Sequence, residues 1–118
     1  MRSRSILLAS ALLGGCAANG PITPPQPPGP LLSLLSADDY PASALRAEEQ
    51  GTVFFTLEVG PDGRVARCTV TSSSGSAALD SATCRMMTAR ARFRPALDRR
   101  NRPVAGTFRS RITWRITG

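Results

Sequence analysis

Hydrophobic and polar positions along this chain change period several times, and each change marks an element. Val53, Phe55, Leu57 and Val59 recur at every second residue, so 52–59 is predicted as a strand with one buried face. Phe54 on its other face points to partial cover there, or to a partner. Gly60-Pro61-Asp62-Gly63 reads as a hairpin turn: proline presets φ, aspartate bonds nearby backbone and Gly63 accepts positive φ. A second strand follows over 64–72, with Ala66, Cys68 and Val70 on one face and Val65, Arg67, Thr69 and Thr71 on the other. The period then becomes helical. Leu79, Ala82, Met86, Ala89 and Phe93 form one stripe, predicting a helix over 77–91 behind a serine cap and stopped by Pro95. A turn-rich loop spans 94–106. The last segment alternates strictly: Phe108, Ser110, Ile112, Trp114 and Ile116 on one side, Thr107, Arg109, Arg111, Thr113 and Arg115 on the other. It is predicted as a strand with one face on the core and one in water. Upstream, Asp38 to Glu49 reads as a short helix with Pro41 in its first turn and Gly51 as its stop. The order helix, strand, strand, helix, strand gives a two-layer α+β domain with a three-stranded antiparallel sheet. The most apolar strand, 52–59, is expected at the centre and the last strand at an edge.

The N-terminal region follows a different pattern. Arg2 and Arg4 precede a short apolar run from Ile6 to Leu13, too short for the roughly 20 residues that span a bilayer. Leu13-Gly14-Gly15-Cys16 follows, which resembles the lipobox of bacterial lipoproteins. That resemblance implies cleavage before Cys16, lipidation of its thiol, and firm attachment to a membrane through several acyl chains. An ordinary signal peptide that ends near a cysteine is the alternative. The lipoprotein resemblance, with Ala17 after the cysteine, implies sorting to the outer membrane. Residues 1–15 are thus expected as a signal, 16–37 as a proline-rich periplasmic tether and 38–118 as the folded domain. Pro21, Pro24, Pro25, Pro27, Pro28 and Pro30 favour an extended spacer. Leu31, Leu32, Leu34 and Leu35 behind them fit either packing on the domain or proximity to lipid.

Composition narrows the chemistry. The formal charge is +7, carried by 15 arginines against 8 acids, with no histidine and no lysine. From Arg85 to Arg115 the only acid is Asp98. Such a balance suits anionic partners, and export argues against nucleic acid. The absence of histidine excludes a serine–histidine triad and a histidine metal site. The acids fall mostly in caps, turns and exposed faces, and the serines 72–76 read as a turn and cap. No catalytic residue, metal site or cofactor is expected. With Cys16 set aside, Cys68 and Cys84 are an even pair in an oxidising compartment and are expected as a disulfide, two buried free thiols being the alternative.

Residues 39–116 resemble the C-terminal domain of the TonB family of energy transducers. The resemblance rests on Tyr40-Pro41 with Ala44, Gln50-Gly51-Thr52-Val53, Val59-Gly60-Pro61-Asp62-Gly63-Arg64-Val65, Ser73-Ser74-Gly75 with Leu79-Asp80, Arg92-Phe93-Arg94-Pro95-Ala96, and Pro103-Val104 before the alternating strand. Cys68 and Cys84 resemble a pair seen in a subgroup of that family. The resemblance implies a periplasmic adaptor that engages the TonB box, a short extended peptide of outer-membrane receptors, in uptake of iron–siderophore-type nutrients. It places that peptide along the edge strand formed by Thr107, Phe108, Arg109, Ser110, Arg111, Ile112, Thr113, Trp114, Arg115 and Ile116. Family transducers also carry a spanning helix that meets the ExbB–ExbD motor. This chain has a lipobox-type signal in that place, which puts direct coupling to the motor in doubt. An envelope structural lipoprotein binding acidic cell-wall or lipid surfaces through the arginine face is the competing reading.

Overall fold

The computed structural model describes residues 20–117; the expected signal and lipidated Cys16 lie outside them. Two 3-10 turns, Leu31–Leu34 and Ala37–Asp39, lead into α1 (Ala42–Arg46). Then come β1 (Gly51–Val59), β2 (Val65–Ser72), α2 (Ala77–Arg90), a minimal hairpin of β3 (Ala96–Leu97) and β4 (Pro103–Val104), and β5 (Gly106–Trp114). The main sheet has the order β2-β1-β5 with both pairings antiparallel. The α+β architecture, the central place of β1 and the edge place of the last strand are as the alternation predicts.

β1 buries Val53, Phe55, Leu57 and Val59, and α2 covers that face with Leu79, Ala82, Met86 and Met87. Cys68 of β2 is joined to Cys84 of α2 with the Cα atoms 5.5 Å apart, pinning helix to sheet. Ser76 caps α2 by accepting the Leu79 N–H at 3.2 Å, and donates its hydroxyl to Glu49. The Asp80 carboxylate gathers the Ser73 hydroxyl and both the N–H and hydroxyl of Ser74. Burial opposes ionisation of that carboxyl, but these hydrogen bonds outweigh it and hold the pKa below the ordinary value. The serine run is therefore a cap network.

At Gly60–Gly63 the turn closes with Gly63 at φ 83°. Its carbonyl accepts the Phe93 N–H at 2.8 Å, and a Cβ on Gly63 would lie 2.2 Å from the Phe93 carbonyl oxygen. Glycine is required both for the conformation and for this approach.

Four details differ from the sequence pattern. First, a register shift between Glu58 and Val59 sets Val65 opposite Val59, so Val65 is buried and Ala66 is exposed. One extra residue at such a bulge reverses the faces, which strict alternation cannot foresee. Second, the helix expected over 38–49 is broken. Pro41 keeps Tyr40 extended, so a turn at Ala37–Asp39 and a five-residue helix replace it. The chain leaves α1 through Glu48 at φ 56°, ahead of Gly51. Third, α2 ends at Arg90 because Ala91 is extended; Ala89 is exposed, and Phe93 reaches the core from an extended segment.

The fourth difference concerns the tether. Within the stretch expected as a free spacer, residues 22–26 lie against the domain. Thr23 pairs with Leu97 and Gln26 with Arg94, both antiparallel. The Arg94 N–H donates to Gln26 at 2.8 Å and the Leu97 N–H to Thr23 at 3.0 Å. Proline's fixed φ suits such an extended strap, and its missing N–H costs nothing on the side away from the partner. Pro25 is buried, 3.0 Å from where a Cβ on Gly106 would stand. Leu31 is buried and Leu34 and Leu35 pack on the core. Arg90 then clamps the segment, donating to the Leu34 carbonyl and, through two nitrogens, to both Asp39 oxygens at 2.7 and 2.9 Å. The Arg90 hydrogen bond holds the Asp39 carboxyl far below the ordinary carboxylate range.

Candidate functional site: the free edge of β5

The register decides what β5 shows on each side. Gly106 to Trp114 pair residue by residue with Val59 to Gly51, without interruption. Phe108, Ser110, Ile112 and Trp114 therefore share the core face with Leu57, Phe55 and Val53. Ile112 and Trp114 are buried; Phe108 and Ser110 are half-buried. Thr107, Arg109, Arg111 and Thr113 point to the exposed outer face. Arg115 and Ile116, expected within the strand, lie just past it, and the Ile116 N–H donates to the Gln50 side chain at 2.7 Å.

Cover over the core face of β5 comes from α2 and from two non-helical segments. Phe93 meets Phe108 edge-on at 5.1 Å, and Tyr40 meets Trp114 at 5.3 Å with the rings nearly perpendicular. The Trp114 indole N–H donates to Thr83 Oγ1 at 2.9 Å inside the core. Tyr40 donates its hydroxyl to the Glu49 carbonyl, and burial pushes the phenol pKa upward. These contacts fix the strand's position from below.

Beyond β5 the sheet stops. Among the described residues no strand and no other backbone segment bonds to residues 107–114 from the side opposite β1. In an antiparallel edge strand, alternate residues aim both N–H and C=O outward, so this edge is a row of unused donors and acceptors.

Flanking it on the outer face are Arg109, Arg111 and Arg115. None of the three is ion-paired among the described residues, whereas Arg67 reaches Glu58 at 3.7 Å, Arg90 reaches Asp39 and Arg102 reaches Asp98. The Arg111 guanidinium lies 5.9 Å from the centre of the Phe54 ring, which is 39% exposed. An open groove bounded by Phe54, Thr71, Arg109 and Arg111 runs over this face. On the other flank a second groove, about 220 Å³, lies between β5 and the turns that precede α1; Leu32, Leu35, Tyr40, Ile112 and Trp114 are among its walls.

That second wall, and the strap at 22–26, are absent from the sequence reading of the site. The four leucines behind the prolines were the available signal, but a short leucine run does not say what it packs on. Among the described residues there is no cluster of metal-ligating side chains and no helix long and apolar enough to cross a membrane.

The family comparison agrees with this geometry. Residues 36–116 match the family model described as Gram-negative bacterial TonB protein C-terminal. No curated protein matches the chain. The match covers more than half of the chain, including the whole sheet, both helices and the free edge, so the chain belongs to the TonB C-terminal domain family.

Proposed function

We propose that this protein is a non-enzymatic, periplasmic binding domain that takes up an extended peptide as a fourth strand on β5. The peptide is the TonB box of an outer-membrane receptor for scarce nutrients of the iron–siderophore type. The family supports the receptor class, and the unpaired edge of 107–114 is the observation that carries the mode of binding. Main-chain hydrogen bonds would give affinity, and side chains on either flank would select among peptides. Cys16 would anchor the chain by lipid to the outer membrane.

Peptide titration followed by amide NMR tests this. TonB-box peptides should shift amides along 107–114 before others. N-methylation at alternate peptide positions should abolish binding in one phase of the alternation and spare it in the other, since only one phase faces β5. Equal tolerance in both phases would rule out strand addition. Binding to acidic polymers or anionic vesicles that salt abolishes, with no preference among peptides, would favour an envelope-surface role for the arginine face.

A further inference from the structure

The two flanks of the edge differ so sharply that they constrain the incoming strand. We infer that the peptide accepted by β5 is amphipathic at period two: acidic residues at successive outer positions, and a large apolar residue on the inner side opposite Ile112 to Trp114. This rests on the strand-addition reading above and names the chemistry that reading leaves open.

A strand added beside β5 turns alternate side chains to the same two faces, with directly opposite Cβ atoms about 5 Å apart. Its outer residues would stand against Arg109 and Arg111, two exposed cations without carboxylate partners among the described residues. Both lie on one face two residues apart, so acids at positions i and i+2 of the peptide meet both. Acids on neighbouring positions cannot, because one of them turns inward.

The inner flank is apolar and built largely by this chain's own N-terminal segment. The groove beside Ile112 and Trp114 is closed on its far side by Leu32 and Leu35, and no residue of β1 lines it. It therefore opens on the free-edge side, where an inner side chain of the added strand would enter. Its volume of about 220 Å³ accommodates a leucine- or phenylalanine-sized group. Leu32 is 60% exposed and would be covered by that group, which gives the occupant a hydrophobic reason to settle there. Leu32 and Leu35 precede residue 36, where the family match begins. Selectivity at this position would thus be a property of this chain's strap and turn, added to a shared edge.

Fluorescence anisotropy with labelled synthetic peptides tests the inference. One peptide carries two acids in i, i+2 spacing followed by leucine. A second has the same composition with the acids adjacent. At low ionic strength the alternating peptide should bind roughly three- to tenfold tighter, because it makes one more cross-strand charge pair and turns no acid toward the apolar groove. Arg109→Glu with Arg111→Glu, both at exposed positions, should invert the preference toward a lysine-substituted alternating peptide. Leu32→Ser, also at an exposed position, should weaken the leucine peptide and leave a version with alanine in its place unchanged. Equal affinity for the two acid spacings, or binding unaffected by either substitution, overturns the inference. If edge amides of 107–114 still shift in that case, strand addition survives; if no peptide shifts them, the underlying reading fails instead.

Discussion

Thr83→Val removes one hydroxyl from the interior and alters almost nothing else. Thr83 lies fully buried on α2, where its Oγ1 donates to the Leu79 carbonyl at 2.8 Å and accepts the Trp114 indole N–H at 2.9 Å. Valine has the same shape, branching and nearly the same helix propensity. The Leu79 carbonyl keeps its place in the helix ladder. The indole donor does not fare so well: Trp114 is buried, and Thr83 is its hydrogen-bond acceptor. Leaving a buried donor unpaired costs about 1–3 kcal/mol. In a domain of this size each kcal/mol lowers Tm by roughly 4–8 °C. Trp114→Phe deletes the donor itself, so the double variant has nothing to leave unpaired. A double-mutant cycle followed by circular dichroism should therefore show the double variant less destabilised than the sum of the singles by about 1 kcal/mol or more. Trp114 is the chain's single tryptophan, so its fluorescence in Thr83→Val reports the same site directly. A Thr83→Val melt within about 0.5 kcal/mol of the parent, or a cycle that closes additively, refutes the argument that this bond holds the end of β5 in place.

Two further outcomes follow from the same structure. Cys68→Ser with Cys84→Ser, or reduction of the parent, opens a crosslink between residues 16 apart in sequence and should lower stability by about 3 kcal/mol in the chain-entropy account; an unchanged denaturant midpoint contradicts it. Asp39, Asp80 and Asp98 all have carboxyl pKa values below the ordinary 3.8, Asp98 chiefly through the Arg102 N–H. On acidification the unfolded chain takes up protons first, so stability should be level above about pH 5 and fall progressively below about pH 4; melting curves that rise across that interval contradict the assignment.

Much of the fold is visible in alternation alone. Val53, Phe55, Leu57 and Val59 declare a one-sided central strand, and Arg109, Arg111 and Thr113 between Phe108, Ile112 and Trp114 declare an edge. Local turn chemistry is equally legible: the positive φ of Gly63 and the Ser76 cap on α2 are set within a few residues, although Phe93 and Glu49 also bond to them from afar. What escaped was decided by strand register and by partners that no local pattern names. The bulge that buries Val65 depends on pairing with Val59. Thr83 reads as a polar interruption of the helix stripe until Trp114, 31 residues on, supplies its partner. The strap is the clearest case. A proline-rich run has the composition of a spacer, and only its bridges to Arg94 and Leu97 seat it on the domain.

The strap, the Arg90 clamp and the disulfide share a consequence for the edge. The strap is tied to the extended segment after α2, the turns ahead of α1 to the last residue of α2, and α2 to the sheet; none of these bonds to the free edge of β5. Rigidity is thus concentrated around a strand that keeps its own hydrogen-bonding capacity unspent. A nine-residue strand with one edge unpaired invites self-association, and the arginine row supplies the counterweight. A second copy offered the same edge would set Arg109 and Arg111 of one chain against the arginines of the other on one face, where like charges repel. An acidic strand meets the opposite situation. The same residues that keep two copies apart would therefore select the partner, and the specificity of the edge and its solubility become one electrostatic property.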